Sequence, residues 1–284
     1  MPAWGWILVL VVALLVAAFY WLLVLTEGTF LGSRVVLALY DLYSVRYDRI
    51  KQFDSYDEYA FLARPLVTWF DETGCQSESG PLVLDVATGT GRYPIAVLRS
   101  MGAKGRVVGL DGSSGMLRQA RKKLNDLGLV DVVLLKHDAS QLPFASAAFE
   151  VVACLEALEF MPDPQRVIVE LMRVLSPGGL LVVSNRIGRD TALMPGKAWS
   201  RSEFSGILTG QGASRVARQA WQVNYDLYLA RKAGELVAGA ERDWLDVLRC
   251  SRCTGSVEQG RGTTALCVEC SGKWIEVDGI WESV

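Results

Sequence analysis

Between Trp4 and Leu25 the chain reads WGWILVLVVALLVAAFYWLLVL, an apolar run with no charged side chain. At ~1.5 Å rise per residue, a helix of this length spans roughly 33 Å, enough to cross the apolar core of a bilayer. Trp4 and Trp6 at one end and Tyr20 and Trp21 near the other stand where interfacial aromatic anchors stand. Two other readings stay open. A cleaved signal peptide would carry a basic leader and a shorter apolar core; a buried core helix would be apolar on every face. The flanks give an orientation for a span, because Arg34, Arg46, Arg49 and Lys51 follow the run and nothing positive precedes it. The positive-inside rule then puts the body of the protein in the cytoplasm. Residues 30–43 are again apolar, interrupted by Arg34 and Asp41. They suit an amphipathic helix that lies near the membrane surface, caps an active site, or packs on the following domain.

The 51% hydrophobic content is inflated by the first segment, and the remainder reads as an ordinary α/β protein. A net charge of −2 leaves no global basic field with which to grip nucleic acid.

From Pro81 onward, short apolar runs alternate with helix-like stretches, the pattern of a parallel sheet covered by helices. Strands are expected over residues 82–86, 106–110, 132–135, 149–154 and 180–184. Each run ends in residues able to meet a ligand, and open α/β sheets bind ligands at the carboxyl ends of their strands. After the first comes Ala87-Thr88-Gly89-Thr90-Gly91, where glycine lets the backbone turn tightly and approach a ligand. Asp111 ends the second run and is able to accept hydrogen bonds from both hydroxyls of a ribose. His137-Asp138-Ala139 follows the third, and a Pro-Gly-Gly turn precedes the fifth. Taken singly, Asp85 and Asp111 are equally well explained as turn or helix-cap carboxylates, and Asp138 as a surface acid. The set in this order favours a cofactor. A nicotinamide-binding domain expects a third glycine at the helix start, where this chain has Pro94.

The segments LVLDVATGTGR, VVGLDGSSGML, HDASQLPFASAAFEVV and RVLSPGGLLVVS together resemble a class I S-adenosylmethionine-dependent methyltransferase. Within that class the chain is most similar to the C-methyltransferases of ubiquinone and menaquinone biosynthesis, over roughly residues 40–235. That stretch includes an entry segment from Tyr40 to Asp48 and a closing YDLYLARK strand. The resemblance implies a Rossmann-like seven-stranded sheet with helices on both faces. It also implies roles for single residues. Asp85, Ala87, Gly89 and Gly91 would surround the methionine part of S-adenosyl-L-methionine, Asp111 would hold the ribose, and Gly112 and Ser113 would lie beside the adenine. Asp138 and Ala139 would meet the adenine amino edge, and Leu155 and Glu156 would line the floor near the sulfonium. Two departures are visible: Ala87 replaces the first glycine of the fuller GxGxG pattern, and Phe160 stands where many relatives carry histidine.

Methyl transfer from a sulfonium has a good neutral leaving group, so alignment in a dry site is the main demand on the protein. A base is needed only where the nucleophile carries a proton. Glu156, Glu159 and Tyr47 are the candidates. His137, the only histidine, suits a structural role better.

Near the C-terminus Cys250, Cys253, Cys267 and Cys270 form CxxC…CxxC, while Cys75 and Cys154 stand alone. Two CxxC pairs suit tetrahedral Zn²⁺ held by four thiolates, a closed and therefore structural site. Two disulfides are the alternative, disfavoured in a reducing compartment. LRCSRC, LCVEC and the trailing VDGIW resemble the small zinc-ribbon protein that partners and activates methyltransferases of RNA and release factor. Here it is fused in cis, with a stabilising or docking role expected and a protein partner through the ribbon a further expectation.

The expected division is a transmembrane helix over 1–26, amphipathic or capping helices over 27–80, a cofactor domain over 81–235, a linker over 236–246 and a zinc ribbon over 247–284. The leading expectation is a membrane-anchored methyltransferase acting on a lipophilic small molecule. A protein or RNA methyltransferase and a catalytically silent cofactor-binding scaffold are the rivals.

Overall fold

A computed structural model describes residues 2–51, 55–73, 80–101, 106–236 and 242–284. Cys75 and residues 237–241 of the expected linker lie outside them, as do parts of the expected helical region 27–80.

Helix α1 (Ala3–Tyr20) continues through a π-helical turn to Leu25. This apolar stretch is long enough to cross a membrane, and none of its most hydrophobic window is buried in the protein. A core-helix reading therefore has no packing to support it. Gly28 and Gly32, at φ of 75° and 95°, turn the chain into α2 (Ser33–Lys51). Both values favour glycine because a Cβ would crowd the backbone. A short helical turn, α3 (Ser55–Asp57), runs through a π-helical stretch into α4 (Arg64–Thr73).

The strands of the α/β region are β1 (Leu82–Val86), β2 (Arg106–Asp111), β3 (Val132–Lys136), β4 (Phe149–Cys154), β5 (Leu175–Arg186), β6 (Ala213–Trp221) and β7 (Tyr225–Lys232). Between them run α5 (Arg92–Met101), α6 (Ser114–Asp126), α7 (Pro164–Val174) and α8 (Arg201–Gly210). β1 to β5 pair in parallel, and β7 joins β5 antiparallel with β6 beyond it. Every residue of β1 is buried, as a strand covered on both faces requires. Its alternate residues feed two cores: Leu82, Leu84 and Val86 face one, Val83 the other. Strand order reverses at β1, which has β2 on one side and β4 on the other. A crevice outside the carboxyl ends of the strands follows from that reversal.

The C-terminal segment is not a separate body. After α9 (Trp244–Val247), which starts inside the expected linker, come β8 (Val257–Gln259), β9 (Thr264–Cys267), β10 (Lys273–Val277) and β11 (Ile280–Ser283). β11 pairs in parallel with β3, so the seven-stranded sheet grows into one of eleven strands in the order β6-β7-β5-β4-β1-β2-β3-β11-β10-β9-β8. Trp274 and Trp281 share the core that holds Leu135 and Phe144. Arg121 of α6 donates from Nη2 to the Gly279 carbonyl at 2.6 Å, and Arg249 N–H donates to Pro143 at 2.8 Å.

Candidate cofactor and substrate site

A cavity of about 450 Å³ opens at the carboxyl ends of β1 to β4, within the range for small-molecule sites. Ala87, Gly89, Asp111, Gly112, Asp138, Ala139, Leu155 and Glu156 all line it. Asp85 lies beside it, in a small recess shared with Gly89, Thr90 and Arg92. Gly91 and Ser113 line neither space. Gly91, at φ 82°, instead faces Ala120 of α6, where a Cβ would come within 3.4 Å, and Ser113 caps α6 by accepting from Met116 N–H at 3.1 Å. Both shape the loops rather than the cavity wall.

Asp111 organises two loops at once. Its Oδ2 accepts from Gly89 N–H and its Oδ1 from Ser113 N–H, each at 2.8 Å. Burial pushes its carboxyl up to about 6, against these hydrogen bonds. Burial likewise pushes Asp85 up to about 7. Two carboxylates raised by desolvation at one strand edge suit a cationic ligand, which would restore their ionised forms. Gly89 sits at φ 54° with nothing within 4 Å of where a Cβ would be, so the loop leaves space for a ligand against the backbone. Ala87 adopts φ 58° and Glu156 φ 50°. Each left-handed non-glycine residue costs about 1 kcal/mol, and both border the crevice. The cavity volume, the acidic strand ends and the open glycine cradle fit a nucleoside cofactor with a cationic tail.

The three candidate bases fare differently. Glu156 is saturated: Arg92 Nη1 lies 2.5 Å and Gln222 Nε2 2.9 Å from Oε1, and Lys51 Nζ lies 2.6 Å from Oε2. Burial pushes Glu156 up, but Lys51 and Arg92 outweigh it and hold the carboxyl below the usual range. It is a charge clamp and a poor proton acceptor. Tyr47 lines the cavity, but burial and the nearby Glu156 raise its hydroxyl, so it stays protonated. Glu159 is buried and lines neither space; its Oε1 accepts from the Tyr225 hydroxyl. None of the three is poised as a base. His137 lines the cavity, its ring tilted against Trp274 with centroids 5.7 Å apart, and burial lowers its pKa.

The remaining wall comes from residues that the strand pattern does not mark. From α2, Val36, Leu37 and Tyr40 reach the cavity, facing Phe160, Met161 and Pro162. Tyr40 and Phe160 meet edge to face at 5.9 Å. Phe160 thus contributes an aromatic surface. Glu282 and Ser283 of β11 close the far side. Spacing within residues 30–43 could have flagged Val36, Leu37 and Tyr40, since they fall three and four apart; nothing in the sequence flags Glu282.

The four cysteines also come together. Their Sγ atoms all lie within 4.8 Å of one another, with Cys250–Cys270 and Cys253–Cys267 each at 3.5 Å, far beyond a disulfide bond. Backbone N–H groups of Arg252 and Glu269 point at Cys250 and Cys267 at 3.4 Å. Four thiols at this spacing are able to hold one metal ion.

Residues 84–183 match the family model described as "Methyltransferase domain". A demethylmenaquinone methyltransferase of Listeria welshimeri is 38% identical over 117 residues, 40% of this chain and 50% of the relative. Residues 84–183 are thus similar to a methyltransferase domain, and the chain spans about half the length of the curated relatives it matches. Two solved structures share the fold. The [4+2]-cyclase SpnF, at 19% identity and a TM-score of 0.56, covers 71% of this chain and 96% of its own. A chain from the complex of the Haloferax volcanii Trm112 methyltransferase activator with a methyltransferase gives 21% and 0.51, covering 69% of this chain and 97% of its own.

Proposed function

We propose that this protein is a membrane-anchored methyltransferase that moves the methyl group of S-adenosyl-L-methionine to a lipophilic small molecule, with a quinone precursor the leading class. The observation that carries this reading is the apolar cavity wall of Val36, Leu37, Tyr40 and Phe160, much of it built on the helix that follows the bilayer-length segment. Relatives named for demethylmenaquinone methylation point to the same acceptor class. When bound, the cofactor supplies an activated methyl group on a good leaving group. Asp111 would hold its ribose and Asp85 its cationic end, while Glu156, fixed by three donors, keeps negative charge near the reacting centre. Tyr47 and Phe160 would shield the acceptor from water and align it. The body would face the cytoplasm, where the cofactor is made. Zn²⁺ on Cys250, Cys253, Cys267 and Cys270 would be structural, fixing β11 against β3.

A protein or RNA acceptor is the second reading, favoured by the pairing of the cysteine-bearing segment's β11 with β3 and by the activator bound in the Haloferax volcanii complex. Native membranes supplied with methyl-labelled cofactor discriminate. Label in the organic-solvent phase supports the lipophilic acceptor; label in the macromolecular pellet supports the second. Bound cofactor with no label transferred to either marks a silent scaffold.

A further inference from the structure

Helix α2 has two faces with different chemistry. Its inward face latches three cofactor loops. Asp41 accepts from Gly115 N–H at 2.7 Å, Asp48 accepts from the Thr90 hydroxyl at 2.6 Å, and Lys51 meets Glu156 at 2.6 Å. Both acids of the helix are thereby turned toward the protein. The outward face carries Arg34, Leu42, Val45, Arg46, Arg49 and Ile50, spaced three, four or eight apart along one side. Leu42 is 73% and Val45 74% exposed. None of the three arginines makes an ion pair among the described residues.

Placement adds to composition. Residues 26–32 separate this helix from the bilayer-length segment, and the joint is not slack. Trp21 donates from Nε1 to the Leu193 carbonyl at 3.2 Å and stacks on Phe30 at 5.4 Å, and the Thr29 hydroxyl donates to the Glu159 carbonyl at 2.8 Å. The base of the apolar helix is thus fastened to the α/β body beside α2. Uncovered apolar residues interleaved with arginines are the composition of an interfacial helix.

We propose that this outward stripe of α2 lies on the anionic phospholipid surface of the bilayer that holds α1, so that the membrane stabilises the helix closing the cofactor crevice. The proposal rests on the membrane-span reading above. Each arginine near such a surface strengthens attachment roughly five-fold. Because one helix carries both the lipid stripe and the loop latches, anionic lipid and nucleoside ligand each strengthen the binding of the other.

The test uses the full chain in nanodiscs of phosphatidylcholine alone or with about a third phosphatidylglycerol, followed by amide hydrogen exchange. Exchange over residues 33–51 is expected to slow several-fold in the anionic discs, and about 0.5 M salt should reverse the effect. Arg34→Glu, Arg46→Glu and Arg49→Glu together should remove the difference; Leu42→Ser with Val45→Ser provides a second, milder variant expected to weaken it. Equal exchange of the parent in both discs, or a lipid response retained by both variants, overturns the proposal. S-adenosylhomocysteine titrated in parallel separates the readings. No ligand binding with the exchange difference intact supports the stripe and defeats the cofactor reading. A chain that inserts into neither disc defeats the span and this placement together.

Discussion

Lys51, in the last turn of α2, places its Nζ 2.6 Å from Oε2 of Glu156, two residues beyond β4. The contact ties the helix following the apolar segment to the strand end nearest the expected reacting centre. Lys51→Met should loosen α2 and let the Glu156 pKa rise. Since the lysine is about a third exposed, the expected loss of S-adenosylhomocysteine affinity is modest, roughly three- to ten-fold. Titration calorimetry checks it, and unchanged affinity would mean that α2 closes the crevice without this latch.

Asp85 and Asp111, raised to about 7 and about 6 by burial, give the empty site a pH dependence. Around neutral pH part of their population carries a proton, and a cationic ligand favours the ionised form. Affinity should therefore fall as pH drops through 7 and then 6, by up to about ten-fold per unit for each proton displaced. Calorimetry in buffers of different ionisation enthalpy should show protons released on binding at pH 6.5. A dissociation constant flat from pH 5.5 to 8 would contradict the two assignments.

Stability carries the opposite sign. Asp85 has a folded pKa above its unfolded value of 3.8, so the folded state holds the proton more tightly. As pH rises from about 4 through 7, the unfolded chain loses its proton first and the folded state loses stability. Asp85→Asn should accordingly stabilise the ligand-free protein at pH 8, on the order of 2 kcal/mol, with little gain at pH 4. Denaturant unfolding at the two pH values measures this, and equal effects would show that the buried charge is compensated.

Metal removal should reach the crevice. A chelator, or Cys253→Ser, releases the segment before β8 from the turn between β9 and β10; β10 pairs with β11, which supplies Glu282 and Ser283 to the cavity wall. The expected outcome is a red-shifted tryptophan emission from Trp274 and Trp281 together with weaker S-adenosylhomocysteine binding. An emission shift with unchanged binding would confine the ribbon to a separate structural role.

What the sequence disclosed follows physical lines. β1 to β5 are legible because strands buried on both faces read as unbroken apolar runs, and their acidic ends, Asp111 and Asp138, interrupt those runs at the crevice. The pairing of β11 with β3 is not legible, since its partners are more than 140 residues apart and a parallel edge contact leaves no local pattern. The ribbon was therefore expected as a separate unit, yet Trp274 and Trp281 enter the main core. In the sequence Asp41, Asp48 and Lys51 carry no assigned contact; α2 turns them onto the loops. Glu159 and Glu156 look alike in sequence; one sits beneath the cavity with Tyr225, and the other is clamped by Lys51, Arg92 and Gln222 at its wall.

A nucleoside cofactor lying across the ends of β1 to β3 would be anchored by Asp111. Titration calorimetry of the full chain in nanodiscs with S-adenosylhomocysteine tests this most directly. The predicted result is saturable heat at one ligand per chain, weakened at least about ten-fold by Asp111→Ala. No heat for the parent protein, or parent-like binding by Asp111→Ala, would contradict it.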